Sequence, residues 1–186
     1  MGRPKALVLL DGEPLVRRAV RALVDGGCAP RVVVVGAGAE EVRPLLPPGV
    51  HVVVAQDWTE GMGASLRAGL TALEGLEPVP DAALVHLVDL PGVTAAAVAR
   101  LAAPASTRSL ARAAYDGRPA HPVLLGREHW SGVRAAATGD AGARGYLSGH
   151  PELELVECGD LAVPDDVDTP EQLAHLAQRL PRPHTG

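Results

Sequence analysis

The sequence contains no phenylalanine, and its only aromatic residues are Trp58, Trp130, Tyr115 and Tyr146. A core must therefore be built from valine, leucine and alanine. Lysine is almost absent too: of 17 basic residues, Lys5 alone is not arginine. GC-rich coding explains that bias, and it makes the surviving lysine worth inspecting. The two cysteines, Cys28 and Cys158, have no partner spacing suited to zinc or redox chemistry, which leaves reduced thiols as the default. No block of five like charges occurs and the net charge is −5, which argues against a general nucleic-acid or membrane surface. No apolar run approaches the ~18 residues of a membrane span. Basic residues precede a short apolar run at the start, but Asp11 and Glu13 follow at once, unlike a signal peptide. The expected location is cytoplasmic.

What is present fits an ordinary globular chain. Hydrophobic residues make up 47% and charged residues 21% of 186 residues, excluding disorder, collagen and disulfide scaffolds. One domain over residues 1–180 is expected, with a proline-rich flexible tail over 181–186. Apolar β-branched runs at Arg31–Gly36, His51–Ala55 and Ala82–Val88 read as strands buried on both faces. Helical periodicity covers Glu13–Asp25, Met62–Leu76 and Thr94–Ala103 between and after them. The second half predicts a hairpin around Asp116-Gly117, helices over Arg127–Ala137 and Ala141–Leu147, a strand at Leu153–Glu157 and a closing helix at Thr169–Leu180. This alternation implies an α/β fold with a mostly parallel sheet covered on both faces.

In such a sheet, ligands bind beyond the carboxyl ends of the strands. Asp89-Leu90-Pro91-Gly92 stands at one such edge, where Asp89 suits either a turn or a hard divalent cation. Asp165-Asp166-Val167-Asp168-Thr169-Pro170-Glu171 places four acids before the last helix. Capping and the helix dipole explain one or two of them. Two carboxylate loops could also converge on one metal, which spacing alone leaves open. Gly36-Ala37-Gly38-Ala39-Glu40-Glu41 lacks the third glycine of a dinucleotide fingerprint and reads as a plain turn. The small residues of Gln56–Ser65 permit close backbone approach, as an anion site or as a capped loop. His121 before Pro122 is either a packed strand histidine or a ligand.

Taken in order, six segments resemble the MobA-like nucleotidyltransferases, nearest to the molybdenum cofactor cytidylyltransferase branch. They are Gly2–Leu7 with Leu10–Leu15, Trp58–Ser65, Asp89–Pro91, Gly117–Val123, Gly139–Arg144 and Asp166–Glu171, spanning nearly the whole chain. The resemblance implies a Rossmann-like three-layer α/β/α nucleotidyltransferase fold that binds an NTP (CTP ahead of GTP) and Mg²⁺. The implied reaction moves a nucleotidyl group to a phosphorylated small molecule such as molybdopterin and releases pyrophosphate, with a molybdoenzyme as a further partner. Lys5, Asp89 and Asp168 would be catalytic, with Asp89 and Asp168 holding Mg²⁺. Arg3, Lys5, Gly61, Met62 and Ser65 would bind the nucleotide, and His121, Asp140 and Arg144 the acceptor. Family members carry a strand and a glycine-rich phosphate loop just before the segment matching Gly2–Lys5, and this sequence does not contain them. The expectation is therefore an N-terminally truncated fold with unpaired backbone groups beside the switch point and weak or absent NTP binding, whether the given start is an internal methionine or the protein is truly truncated. Two other functions fit the same resemblance: a non-catalytic cofactor-delivery protein, and a transferase for another phosphorylated acceptor.

Overall fold

The computed structural model describes residues 4–180. Arg3 and the tail over 181–186 lie outside the described residues. The chain opens with a two-rung hairpin, β1 (Leu9–Leu10) against β2 (Glu13–Pro14), around Asp11-Gly12. Both turn residues have positive φ, 51° and 79°, as a tight hairpin turn requires. Then follow α1 (Leu15–Asp25), β3 (Arg31–Val35), the short α2 (Ala39–Val42), β4 (Val50–Val54) and α3 (Met62–Glu74). The second half runs β5 (Ala82–Val85), α4 (Ala95–Ala102), β6 (Leu110–Tyr115), β7 (Arg118–Gly126), α5 (Trp130–Ala136), α6 (Arg144–Leu147), β8 (Glu154–Glu157) and α7 (Pro170–Arg179).

Strands β3 and β4 pair in parallel, with Val33 opposite Val52. The other four form a sheet in the order β5-β7-β6-β8. There β7 is antiparallel to both neighbours and β6 is parallel to β8, so β5, β6 and β8 share one direction. The strands are thus mostly parallel, and β7 is the reversed member expected from the hairpin. Alternation along the strands divides the core into two layers. Leu110, Val123 and Leu125 meet Leu70 of α3, Trp130 and Val133 of α5 and Leu147 of α6. Ala111, Ala113 and Leu124 face the other way, onto Ala97 and Leu101 of α4. Each fully buried leucine or valine contributes roughly 1.5–3 kcal/mol. Ala111 and Ala113 on β6 let α4 lie close, with Tyr115 buried at the end of the same face.

Among the described residues, β3 pairs only with β4, and β5 pairs only with β7. Their other edges face a cavity of about 360 Å³, lined by Val32–Val34 and Ala83–Val88 and roofed by Val16 and Val20 of α1 and Leu66 and Leu70 of α3. Two expectations need adjustment. The strand predicted over Ala82–Val88 ends at Val85, because the next position faces Pro122, which has no N–H for the ladder. The helix predicted over Ala141–Leu147 is broken by Gly142 at φ +52°, leaving a 3₁₀ turn at Gly139–Ala141 and the single turn of α6.

Candidate active site

Asp89 lies four residues beyond β5, on a turn that the Asp165–Asp168 loop closes over. The Val167 N–H donates to the Asp89 carbonyl at 2.9 Å, and the Val167 side chain is fully buried against Val8, Leu10 and Leu176. That anchor presents the next residue, Asp168, beside Asp89. Lys5, on the 3₁₀ turn Lys5–Leu7, reaches both: Nζ donates to Asp89 Oδ2 at 2.9 Å and also to Asp168 Oδ1. Burial works to lower the Lys5 pKa, but the hydrogen bonds from its ammonium to Asp168 and Asp89 prevail and raise it. The hydrogen bond from Lys5, with its charge, holds the Asp168 carboxyl below the usual carboxylate range. Thr169 caps α7 by accepting the Gln172 N–H, while Gln172 Oε1 accepts the Asp168 and Thr169 N–H groups at 2.8 and 2.9 Å. Gln172 therefore fixes the backbone that carries Asp168. Sequence reading missed this, although Thr-x-x-Gln is a capping-box pattern.

A second group lines the cavity. His121 Nδ1 lies 3.5 Å from the Val85 carbonyl. His86, just beyond β5, is half-buried, and its Nδ1 is shut off from solvent with no hydrogen-bond partner among the described residues. Burial, reinforced by the His121 charge, pushes its pKa down to about 4, so the ring is neutral near pH 7. Burial also lowers His121, with the Val85 carbonyl opposing and the Arg112 charge assisting. Arg112 and Arg144 line the same cavity. The sequence reading singled out His121 and Arg144 but not His86 or Arg112. A basic residue inside the otherwise apolar run Leu110–Tyr115 was the available signal.

The third group sits at the start of α3. Gly61 has φ +110°, and a Cβ there would lie 2.5 Å from Asp140 Oδ1 and 2.6 Å from the Gly139 carbonyl carbon. Only glycine lets the Gly139–Ala141 turn pack so closely. In return Asp140 Oδ1 accepts the Met62 N–H at 3.3 Å, meeting a helix-end donor. Met62 and Ser65 line the cavity, with Met62 largely exposed. So the residues expected to border nucleotide and acceptor, Gly61, Met62, Ser65, Asp140 and Arg144, do come together around one loop. In this state Asp140 is engaged in capping.

Asp89 and Asp168 suit a hard divalent cation. They supply carboxylate oxygens that already converge on one positive charge, and with side chains 23% and 53% exposed they leave room for water and phosphate oxygens. A different cluster, His129, His150 and Glu152, brings one ligand atom from each within 4.8 Å. It lies before the start of β6, away from Asp89, and both nitrogens of His129 are engaged, by Tyr146 Oη at 2.9 Å and the Arg108 carbonyl at 3.1 Å.

Residues 1–155 match the MobA-like NTP transferase domain. The chain belongs to this family. Nucleotidyl transfer is thereby the family activity, and the resemblance of the six segments to MobA-like nucleotidyltransferases holds. Among related proteins, the chain is 37% identical over 187 residues to nicotine blue oxidoreductase of Paenarthrobacter nicotinovorans, covering 95% of this chain and 89% of that protein. It is 31% identical over 192 residues to molybdenum cofactor guanylyltransferase of Rhodobacter capsulatus, covering 97% and 90%. The crystal structure of Rv0371c from Mycobacterium tuberculosis in complex with manganese superposes with a TM-score of 0.76 at 27% identity, covering 95% and 93%. No helix among the described residues is long and apolar enough to cross a membrane.

Proposed function

We propose that the chain is a Mg²⁺-dependent nucleotidyltransferase that moves a nucleotidyl group from CTP, or secondly GTP, to a phosphorylated small molecule, with molybdopterin the first acceptor to test. The observation that carries this is the meeting of Asp89, Asp168 and Lys5, drawn from three distant segments. An acceptor phosphate oxygen attacks the α-phosphorus, the bond from that phosphorus to the β-bridging oxygen breaks, and pyrophosphate leaves. Such a transfer needs charge neutralisation and in-line positioning more than covalent help. Asp89 and Asp168 would hold a divalent ion, whose charge would neutralise that of the phosphate oxygens. Lys5 is a compact cation that turns from the carboxylates to the polyphosphate, and the α3 start with Gly61, Met62 and Ser65 borders the nucleotide. His121, Asp140 and Arg144 border the acceptor; Arg3 is assigned to the nucleotide by the family resemblance alone.

The test is pyrophosphate release from each NTP, with and without molybdopterin, using this chain and one extended upstream in frame. Release that requires molybdopterin and is lost in Asp89→Asn supports the proposal. Failure of both chains to release pyrophosphate from any NTP with any acceptor tried overturns it. A second reading is an oxidoreductase acting on nicotine blue, favoured by the 37% identity to nicotine blue oxidoreductase. Glu40 and Glu41, at the start of α2, work against a pyrophosphate at that turn. Reduction of nicotine blue with NADPH supplied as a trial hydride donor, measured beside pyrophosphate release, separates the two.

A further inference from the structure

Arg112 is an anomaly in its strand. Its neighbours Leu110, Ala111, Ala113, Ala114 and Tyr115 are all buried, and the arginine points from the Leu110 face into the cavity between the sheets. A guanidinium has five N–H donors. One is used, Nε to the Ala120 carbonyl at 2.8 Å, which orients the group. No carboxylate forms an ion pair with Arg112 or Arg144 among the described residues, although both face the same space. Burial lowers the Arg112 pKa and the Arg144 charge lowers it further, as expected for two cations held near each other without a counter-ion. Holding a half-buried charge without a partner costs stability, unless an anion arrives to accept the remaining donors. His86, half-buried and with a buried Nδ1 unpartnered among the described residues, lines the same space.

We infer that Arg112 and Arg144 form a two-guanidinium clamp for a phosphate monoester, the group through which the acceptor is held. This deepens the proposed transferase reading by adding Arg112 and naming the chemical group it binds. Planar guanidinium forks match phosphate oxygens bidentately. The clamp connects with the Asp89 end of the site through His121, which feels the charges of both Arg112 and Asp89. Arg144 opens α6, just after the Gly139–Ala141 turn that packs on α3, whereas Arg112 comes from the sheet, so the anion would tie the two together.

Binding of inorganic phosphate and of phenyl phosphate, followed by titration calorimetry, tests the clamp without requiring turnover. Phenyl phosphate affinity is expected to fall about tenfold in Arg112→Gln and in Arg144→Gln, and to change little in Arg100→Gln on α4, one tenfold step being ~1.4 kcal/mol. Arg112→Lys, which keeps the charge but not the fork, should recover part of the loss. Arg144 is exposed, so its variant remains informative should Arg112→Gln fail to fold. Unchanged affinity in the folded Arg144→Gln protein overturns the clamp. So does binding of benzoate as tight as phenyl phosphate, which would make the site a general anion site. In the transfer assay the acceptor KM should rise with the NTP KM unchanged. Loss of phosphate binding in the variants, in a protein that releases no pyrophosphate at all, would sink the transferase reading and leave the clamp standing. Normal transfer with unaltered acceptor KM would do the reverse.

Discussion

The backbone N–H of Val167 donates to the carbonyl of Asp89 at 2.9 Å, and this one bond stitches the loop before α7 to the turn after β5. Its consequence is chemical. The next side chain, Asp168, comes within reach of the same Lys5 ammonium that contacts Asp89.

Lys5 therefore competes with any divalent ion for the two carboxylates. In Lys5→Met the competitor is gone while both carboxylates remain. Mn²⁺ alone, followed by electron paramagnetic resonance, should bind several-fold more tightly than to the wild type. Pyrophosphate release should fall roughly 100-fold, since a cation on the polyphosphate is lost. Mn²⁺ affinity that weakens instead would show that the carboxylates do not form the metal site.

Gln172 holds the Asp168 backbone from one turn into α7, so its side chain links a helix cap to the site. Thr169→Ala should cost about 1 kcal/mol in urea unfolding through loss of the cap. Gln172→Ala should additionally raise the metal concentration for half-maximal activity by roughly tenfold, as loss of supporting contacts does at metal sites. Equal effects of the two substitutions on metal dependence would assign Gln172 to helix stability alone.

Gly61 combines φ +110° with contact against the Gly139–Asp140 backbone. Gly61→Ala should destabilise by ~1–3 kcal/mol from backbone strain, with the displaced loop adding to it. Hydrogen exchange at Met62 should quicken selectively, because its N–H loses Asp140. Unchanged exchange at Met62 in the Gly61→Ala protein would mean that the loop does not depend on this close approach.

His86 gives the fold an acid sensitivity whose sign is determined by burial. Its folded pKa of about 4 lies below the ordinary 6.5, so the unfolded chain binds more protons between those values. The stability contributed by neutral His86 is complete above about pH 6.5 and is lost as the pH falls toward 4, with His121 shifted in the same direction. The urea midpoint of the wild type should drop between pH 7 and pH 5 more steeply than that of His86→Leu. Parallel slopes would place the acid sensitivity elsewhere.

The order of strands and helices was legible because each stretch carries its own period. Val32–Val35 reads as a buried strand, Leu15–Val24 as a helix stripe, and Asp116-Gly117 as a hairpin turn wherever they sit in the fold. Local chemistry likewise marked Asp89 and the acids of Asp165–Glu171 as candidates, and the family resemblance singled out Lys5 and Asp168. Their meeting was not legible, since it depends on the burial of Val167 and on a hydrogen bond between loops remote in sequence. Nor was the end of β5 at Val85 readable, because Pro122 acts from the opposing strand. Arg112 is the clearest case. By itself the sequence determined that a charge interrupts an apolar strand; only the tertiary structure decided that it faces Arg144 without a carboxylate between them. Periodicity is a property of neighbours along the chain, whereas the balance of charge in a cavity is summed over whatever the fold brings there.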